Sequence, residues 1–210
     1  MRFESLLDVL FPPVCVACDR IGPALCDRCR PRPSAIERSS VEGLACVALG
    51  PYEGALRRAV LAMKAGRRDV VAALGTLLAG MLAGELRAPA VLVPVPTTRR
   101  RRRARGFDQA TALAGAVAGA GGPPYVLALD RAGGAAQHGR SRAERLGLVR
   151  RFTYGGASFP AGAGVVLLDD VVTTGATLAD ARATLQSAGV RVAGAIVVAR
   201  THEGRRIPNA

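Results

Sequence analysis

Apolar residues recur along this chain in two rhythms. Short unbroken runs at Leu44–Leu49, Val91–Val95, Val126–Leu129, Val165–Leu168 and Val190–Val198 predict strands. Val165–Leu168 reads as a strand buried on both faces, as in a parallel sheet. Between these runs the apolar positions fall three and four apart. Leu56, Ala59, Val60 and Met63 predict a helix over Gly54–Met63, and an Ala/Leu-rich helix follows at Val70–Leu86. Phe107, Ala110, Leu113 and Val117 line one side of a third helix. Leu178, Ala181, Leu185 and Ala188 stripe a fourth, ended by Gly189 as a C-cap. Arg140–Arg151 is charged and either helical or mobile. Strands alternating with helices imply an α/β fold, a Rossmann-like parallel sheet with right-handed crossovers. Pro31, Pro33 and the polar stretch to Glu42 read as a linker. It divides a small N-terminal segment, 1–43, from a main domain, 44–210.

The run VVLLDDVVTTGATL, Val165–Leu178, carries the clearest chemistry. Asp169 and Asp170 close a buried strand at its C-terminal end, where open α/β sheets bind ligands. Thr173, Thr174, Gly175, Ala176 and Thr177 then offer hydroxyls and close-set backbone N–H groups at a helix start, an arrangement that binds phosphate. Carboxylates for hydroxyls beside a cradle for phosphate suit a ribose 5-phosphate. A solvated acidic turn is the plainer reading, and the specific flanks on both sides argue against it. Pro96, Thr97, Thr98 and Arg99 follow another buried strand with hydroxyl and guanidinium donors, and Arg binds phosphate oxygens bidentately.

Composition adjusts this picture in one respect. The 210 residues carry 29 basic and 16 acidic side chains, a net charge of +13, which favours phosphorylated metabolites or polyanions as partners. All the basic residues but Lys64 are arginine, and Ala and Gly abound, a pattern of GC-rich coding. Part of the Arg99–Arg103 run therefore reads equally well as a solvated face. Lys64 is the converse case, a compact ammonium where the bias favours Arg. Electrostatic binding of single-stranded DNA is a further expectation, with little stacking because aromatic residues are scarce. The N-terminus has Glu4 and Asp8 within its apolar stretch and no small-residue cleavage site, so it does not read as a secretory signal. The uncharged run Ala110–Leu129 is broken by Gly121-Gly-Pro-Pro124 and does not read as a membrane span. A cytoplasmic protein without membrane insertion is expected, and an oligomer is compatible with it.

Four of the five cysteines form two CxxC pairs, Cys15/Cys18 and Cys26/Cys29. Paired knuckles of this kind suit a structural, tetrahedral zinc ion. Two disulfides are the first alternative, disfavoured in a cytosolic chain, and a redox CxxC the second, disfavoured because no βαβ pattern surrounds it. Cys46 stands apart as a small buried apolar residue. His138 and His202 lack partners at ligand spacing and are expected to face solvent.

Every position from Val165 to Thr177 fits the phosphoribosyl pyrophosphate signature of type I phosphoribosyltransferases. VPVP at 93–96, RGFDQ at 105–109, Gln137, Arg145, Lys64 after Tyr52-Glu-Gly54, and the paired CxxC knuckles preceded by LLDVLFPP resemble the ComF family. Its members are phosphoribosyltransferase-like proteins linked to competence for DNA uptake. The resemblance implies a type I phosphoribosyltransferase fold with an N-terminal zinc ribbon. It also implies that phosphoribosyl pyrophosphate binds with magnesium. Asp169 and Asp170 would hold the ribose hydroxyls as the candidate catalytic pair, and Thr173–Thr177 the 5-phosphate. Pro96–Arg99 would face the pyrophosphate, with Arg105 beside it, and a mobile hood loop would run from about Arg131 to Arg145. A non-catalytic competence factor handling single-stranded DNA, and a metabolite-responsive regulator, are alternatives to a transferase. Two positions depart from the family pattern. Asp108 stands where the family usually has Asn, and a family Asn after the Arg145 position is replaced near Gly147. Each change removes an amide donor at the edge of the expected site.

Overall fold

The computed structural model describes residues 12–86, 89–132 and 151–202; the side chains of Arg99, Arg101 and Arg105 are also outside the description. Seven strands and five α-helices are found among these residues. They are β1 (Glu37–Val41), β2 (Leu44–Ala48), α1 (Gly54–Lys64), α2 (Arg68–Glu85), β3 (Ala90–Pro94), α3 (Arg99–Arg105), α4 (Gln109–Gly119), β4 (Leu129–Arg131), β5 (Phe152–Tyr154), β6 (Gly164–Val172), α5 (Ala176–Ser187) and β7 (Val192–Arg200). Five strands form one sheet in the order β1-β2-β7-β6-β3, parallel throughout except for the antiparallel β1–β2 pair. The expected α/β class and parallel sheet are thus present.

The strands at the centre are apolar on both faces because both faces are covered. Along β6, Val166 and Leu168 join a core with α1, α2 and α4, while Val165 and Leu167 join the opposite core with α5 and the β4–β5 pair. This is the alternation of a strand whose successive side chains point to opposite faces. On the first side α2 and α4 approach closely at Gly75, where an added Cβ would lie 2.4 Å from that of Ala116. Only a residue without a side chain permits that approach.

Several expectations need correction. The stretch read as a linker holds β1, which pairs antiparallel with β2 from Glu37↔Ala48 to Val41↔Leu44. Its sequence ERSSV conceals a strand because an edge strand is buried on one side only, and here only Val41 is fully buried. Only Leu129 of the predicted strand Val126–Leu129 lies in β4, which runs on to Arg131 and pairs with β5; Tyr125, just ahead of that run, makes a bridge to Leu92. Phe107 lies ahead of α4, which Asp108 caps. Strand β6 runs past its acids to Val172, held by Val171 and Val172 pairing with Ala199 and Arg200 of β7. The fourth helix ends at Ser187, and Gly189 follows with φ of +78°. No helix among the described residues is long and apolar enough to cross a membrane.

Candidate functional site

The C-terminal ends of β3 and β6 open into a cavity of about 380 Å³, within the size range of small-ligand sites. Asp169 and Asp170 lie on its wall, as do Lys64, Pro96, Thr97, Thr173 and Thr177. The structure therefore gathers residues from α1, the loop after β3, and the β6–α5 turn into one place. In sequence these segments are spread from Lys64 to Thr177.

The two acids continue the two faces of β6. Asp170 meets α1, where its Oδ2 lies 3.0 Å from Nζ of Lys64, with both side chains mostly buried. Asp169 accepts a hydrogen bond from the N–H of Asp170 at 2.8 Å, and Asp170 accepts one from the N–H of Val171 at 2.7 Å. Burial and the neighbouring charge of Asp170 push the Asp169 carboxyl well above its ordinary value, against the N–H of Asp170 and the more distant Lys64 ammonium. Two adjacent carboxyls, with the Lys64 ammonium paired to Asp170 alone, bring several hard oxygen donors together. Such a donor set fits magnesium.

The β6–α5 turn opens a helix N-terminus beside the cavity. Gly175 caps α5 with φ of +84° and ψ of −6°, and the first turn of that helix carries no acid. Thr173, Thr174 and Ala176 are exposed around it and Thr177 is half-buried. A helix N-terminus with free hydroxyls beside it attracts phosphate through oriented N–H groups and the helix dipole. Arg151 adds a cation at the rim: its Nη1 donates to Oγ1 of Thr177 at 3.4 Å, and its backbone N–H donates to Oδ2 of Asp180 at 2.7 Å. An added Cβ at Gly175 would come within 1.9 Å of Cγ1 of Val41. The edge strand β1 therefore supports the turn from behind.

Asp108, which stands where the resembling family has Asn, acts through its two acceptor oxygens. Its Oδ2 accepts from the N–H of Thr97 at 2.8 Å and its Oδ1 from the N–H of Thr111 at 3.1 Å. One carboxylate thus caps α4 and fastens the loop after β3. Both partners are donors, so two acceptor oxygens are what this position uses, and an amide donor would be misplaced here. Arg131, at the start of the expected hood loop, also lines the cavity. Its Nε donates to the carbonyl of Pro96 at 3.0 Å, and its guanidinium sits 4.6 Å from the Phe152 ring centroid. Nothing in the local sequence marks Arg131 or Gln109 as a ligand-binding side chain, although Gln109 closes the RGFDQ motif.

Thr98 lies beside Thr97, half-buried, and Arg99 begins α3, in which Arg100, Arg102 and Arg103 are exposed. Arg105 ends that helix. Gln137, Arg145, His138, Gly147 and the remainder of the expected hood loop lie outside the described residues. His202 is paired, its Nε2 3.0 Å from Oε1 of Glu37, with a side chain 60% exposed.

Away from the cavity, Cys15, Cys18, Cys26 and Cys29 bring their four sulfurs within 4.8 Å of one another. The Cys18 and Cys26 sulfurs are 3.7 Å apart. A tetrahedron with metal–sulfur bonds of about 2.3 Å separates its sulfurs by about 3.8 Å, whereas a disulfide needs about 2.05 Å. These four close cysteines can hold a zinc ion, and all are free thiols. Burial raises the Cys15 thiol, but the backbone N–H groups of Cys26, Ala17 and Cys18 and the Cys18 side chain together outweigh it and bring it to about 6; burial, then the other thiols, pushes Cys29 to about 12. A thiolate is the form that ligates metal. The knuckles are fastened to the main core by Ala24 and Leu25, and by Arg58, whose Nη1 donates to the carbonyl of Ala17 at 2.6 Å. Cys46 is 1% exposed, and burial pushes its thiol to about 11, as befits an inert core residue. Reduced protein should therefore carry about one zinc per chain, unchanged by Cys46→Ala. Metal analysis finding no zinc in freshly prepared reduced protein would contradict this.

No family model matches the chain, and no curated protein matches it. Among solved structures, one described as the allosteric regulatory enzyme of purine biosynthesis is 27% identical, over 62% of this chain and 26% of that chain, with a TM-score of 0.39. This chain thus spans about a quarter of that protein's length.

Proposed function

We propose that the chain binds phosphoribosyl pyrophosphate or ribose 5-phosphate with magnesium, as a phosphoribosyltransferase-like protein of the ComF kind, and transfers the phosphoribosyl group to a nitrogen acceptor. The observation that carries this reading is the meeting of Asp169 and Asp170 with the Gly175 turn in one cavity. Carboxylates there accept hydrogen bonds from the ribose 2- and 3-hydroxyls. The N–H groups and hydroxyls of 173–177 hold the 5-phosphate. Magnesium, when bound, neutralises the pyrophosphate leaving group, and the oxygens of Asp169 and Asp170 are the protein donors that would hold it. The bond from C1 to pyrophosphate breaks as the bond from C1 to nitrogen forms, and the chain's contribution is to position the sugar and stabilise charge. The zinc site plays no part in this chemistry and fastens the N-terminal segment.

A screen of ammonia, amines and nucleobases for pyrophosphate release tests the transfer step. Release with one defined acceptor supports it. Binding without release from any acceptor restricts the function to ligand binding.

Asp169 also makes binding depend on pH. Its carboxyl titrates well above 3.8 in the folded chain, and the ligand needs the carboxylate. Affinity should therefore rise as pH rises through that titration, with proton release on binding. Stability has the opposite sign. The folded state holds the proton more tightly than the unfolded one, so this contribution is full below pH 3.8 and is lost as pH rises through the folded value. Calorimetric titration in buffers of different ionisation enthalpy, on wild type and Asp169→Asn, checks the first, and thermal midpoints of the two proteins across pH check the second. A proton release equal in the two proteins would assign it to another group.

A further inference from the structure

We infer that the side-chain amide of Gln109 is a ligand donor, serving the second anionic group of a doubly phosphorylated ribose. The inference rests on the ribose-phosphate reading of the cavity and adds a residue to it. Gln109 is 3% exposed and lies on the cavity wall. Its Nε2 is buried and has no hydrogen-bond partner among the described residues. Buried polar groups are nearly always paired, and one left unpaired destabilises the free protein. An amide in that condition beside a polar cavity is a donor awaiting an acceptor.

Its surroundings say what kind of acceptor. Gln109 is the first residue of α4, an 11-residue helix, and Ala110 beside it also lines the cavity. The positive end of the helix dipole therefore faces the same space, and it favours an anionic oxygen. Asp108, the helix cap next in sequence, is an opposing charge. Both of its oxygens are taken by the N–H groups of Thr97 and Thr111, which fix the helix start and the loop after β3 in register. The α5 turn already accounts for one phosphate, at the end of β6. The α4 start stands beside the loop that follows β3, the neighbouring strand. A ligand spanning both strand ends presents one phosphate to each helix.

Gln109→Leu separates this role from a structural one. It keeps the approximate length and removes the unpaired donor, so the unfolding midpoint of the free protein should hold or rise by a few degrees. Affinity for phosphoribosyl pyrophosphate with magnesium should fall roughly tenfold or more. Affinity for ribose 5-phosphate, which lacks the second group, should stay within about twofold. Gln109→Glu, nearly the same shape with an acceptor in place of the donor, should show the same selectivity with a larger loss; it decides the matter if the leucine variant fails to fold. Equal affinity of variant and wild type for phosphoribosyl pyrophosphate overturns the inference. So does an equal loss for both ligands. In either case the ribose-phosphate reading stands, because wild type binds. Wild type binding neither ligand overturns that reading and this inference together.

Discussion

Replacing Asp169 and Asp170 together with asparagine is expected to abolish binding of phosphoribosyl pyrophosphate while the fold survives. Each carboxylate offers a charge-assisted hydrogen bond to a sugar hydroxyl, and losing one such bond costs about 1.5–3 kcal/mol. Two losses move the dissociation constant by a factor on the order of a hundred or more. The amides also give up the charge that favours a divalent cation. Folding has little to lose. The side-chain hydrogen bonds at these positions accept from the backbone N–H groups of Asp170 and Val171, and an asparagine oxygen can accept the same bonds. Asp169→Asn removes a charge that burial opposes. Lys64 loses its partner, but its side chain is 25% exposed and can reach water. The thermal midpoint should therefore stay near that of wild type. A double variant that binds like wild type would remove the acids from the site.

The second large effect is expected from a single methyl group. Gly175→Ala places a Cβ 1.9 Å from Cγ1 of Val41 and puts a substituted residue at φ of +84°. The left-handed backbone costs an L-residue about 1–2 kcal/mol, and overpacking adds about 1–3 kcal/mol. The sum, about 2–5 kcal/mol, lowers the midpoint by on the order of 10 °C in a chain of this size. The turn proposed to receive phosphate must shift as well, so affinity should fall in the molecules that remain folded. Val41→Ala in the same chain removes the colliding methyl but leaves the backbone strain. A double-mutant cycle should therefore show partial rescue, with a coupling of about 1–3 kcal/mol. Additive effects would mean that β1 does not support the turn.

That support was hidden in the sequence, and the reason is physical. Val41 belongs to an edge strand whose other positions are polar and partly exposed, so ERSSV carries no apolar run to read. The β6 acids were legible because a doubly buried strand leaves an unbroken apolar signal up to Asp169, and the turn beyond it has its own composition. Helices α1, α2, α4 and α5 were legible for a similar reason, since each buries one stripe; α3, with the sequence RRRRRAR, carries no apolar stripe and read as a basic run. Gln109 and Asp108 show the limit. Local sequence marks a helix start there, but only the fold shows that Thr97 supplies a second donor to Asp108, and that the neighbouring amide is left without a partner. Lys64 and Asp170 meet for the same reason: the topology brings α1 against the end of β6, and no spacing in the chain records it.

The cavity at the ends of β3 and β6 is proposed as a ribose-phosphate site. Calorimetric titration of the intact chain with phosphoribosyl pyrophosphate in magnesium tests it most directly, with the Asp169→Asn, Asp170→Asn double variant as control. Saturable binding near one ligand per chain, lost in the folded double variant, is the expected result. Wild-type protein that gives no binding heat, and no rise in thermal midpoint at millimolar ligand, would contradict it.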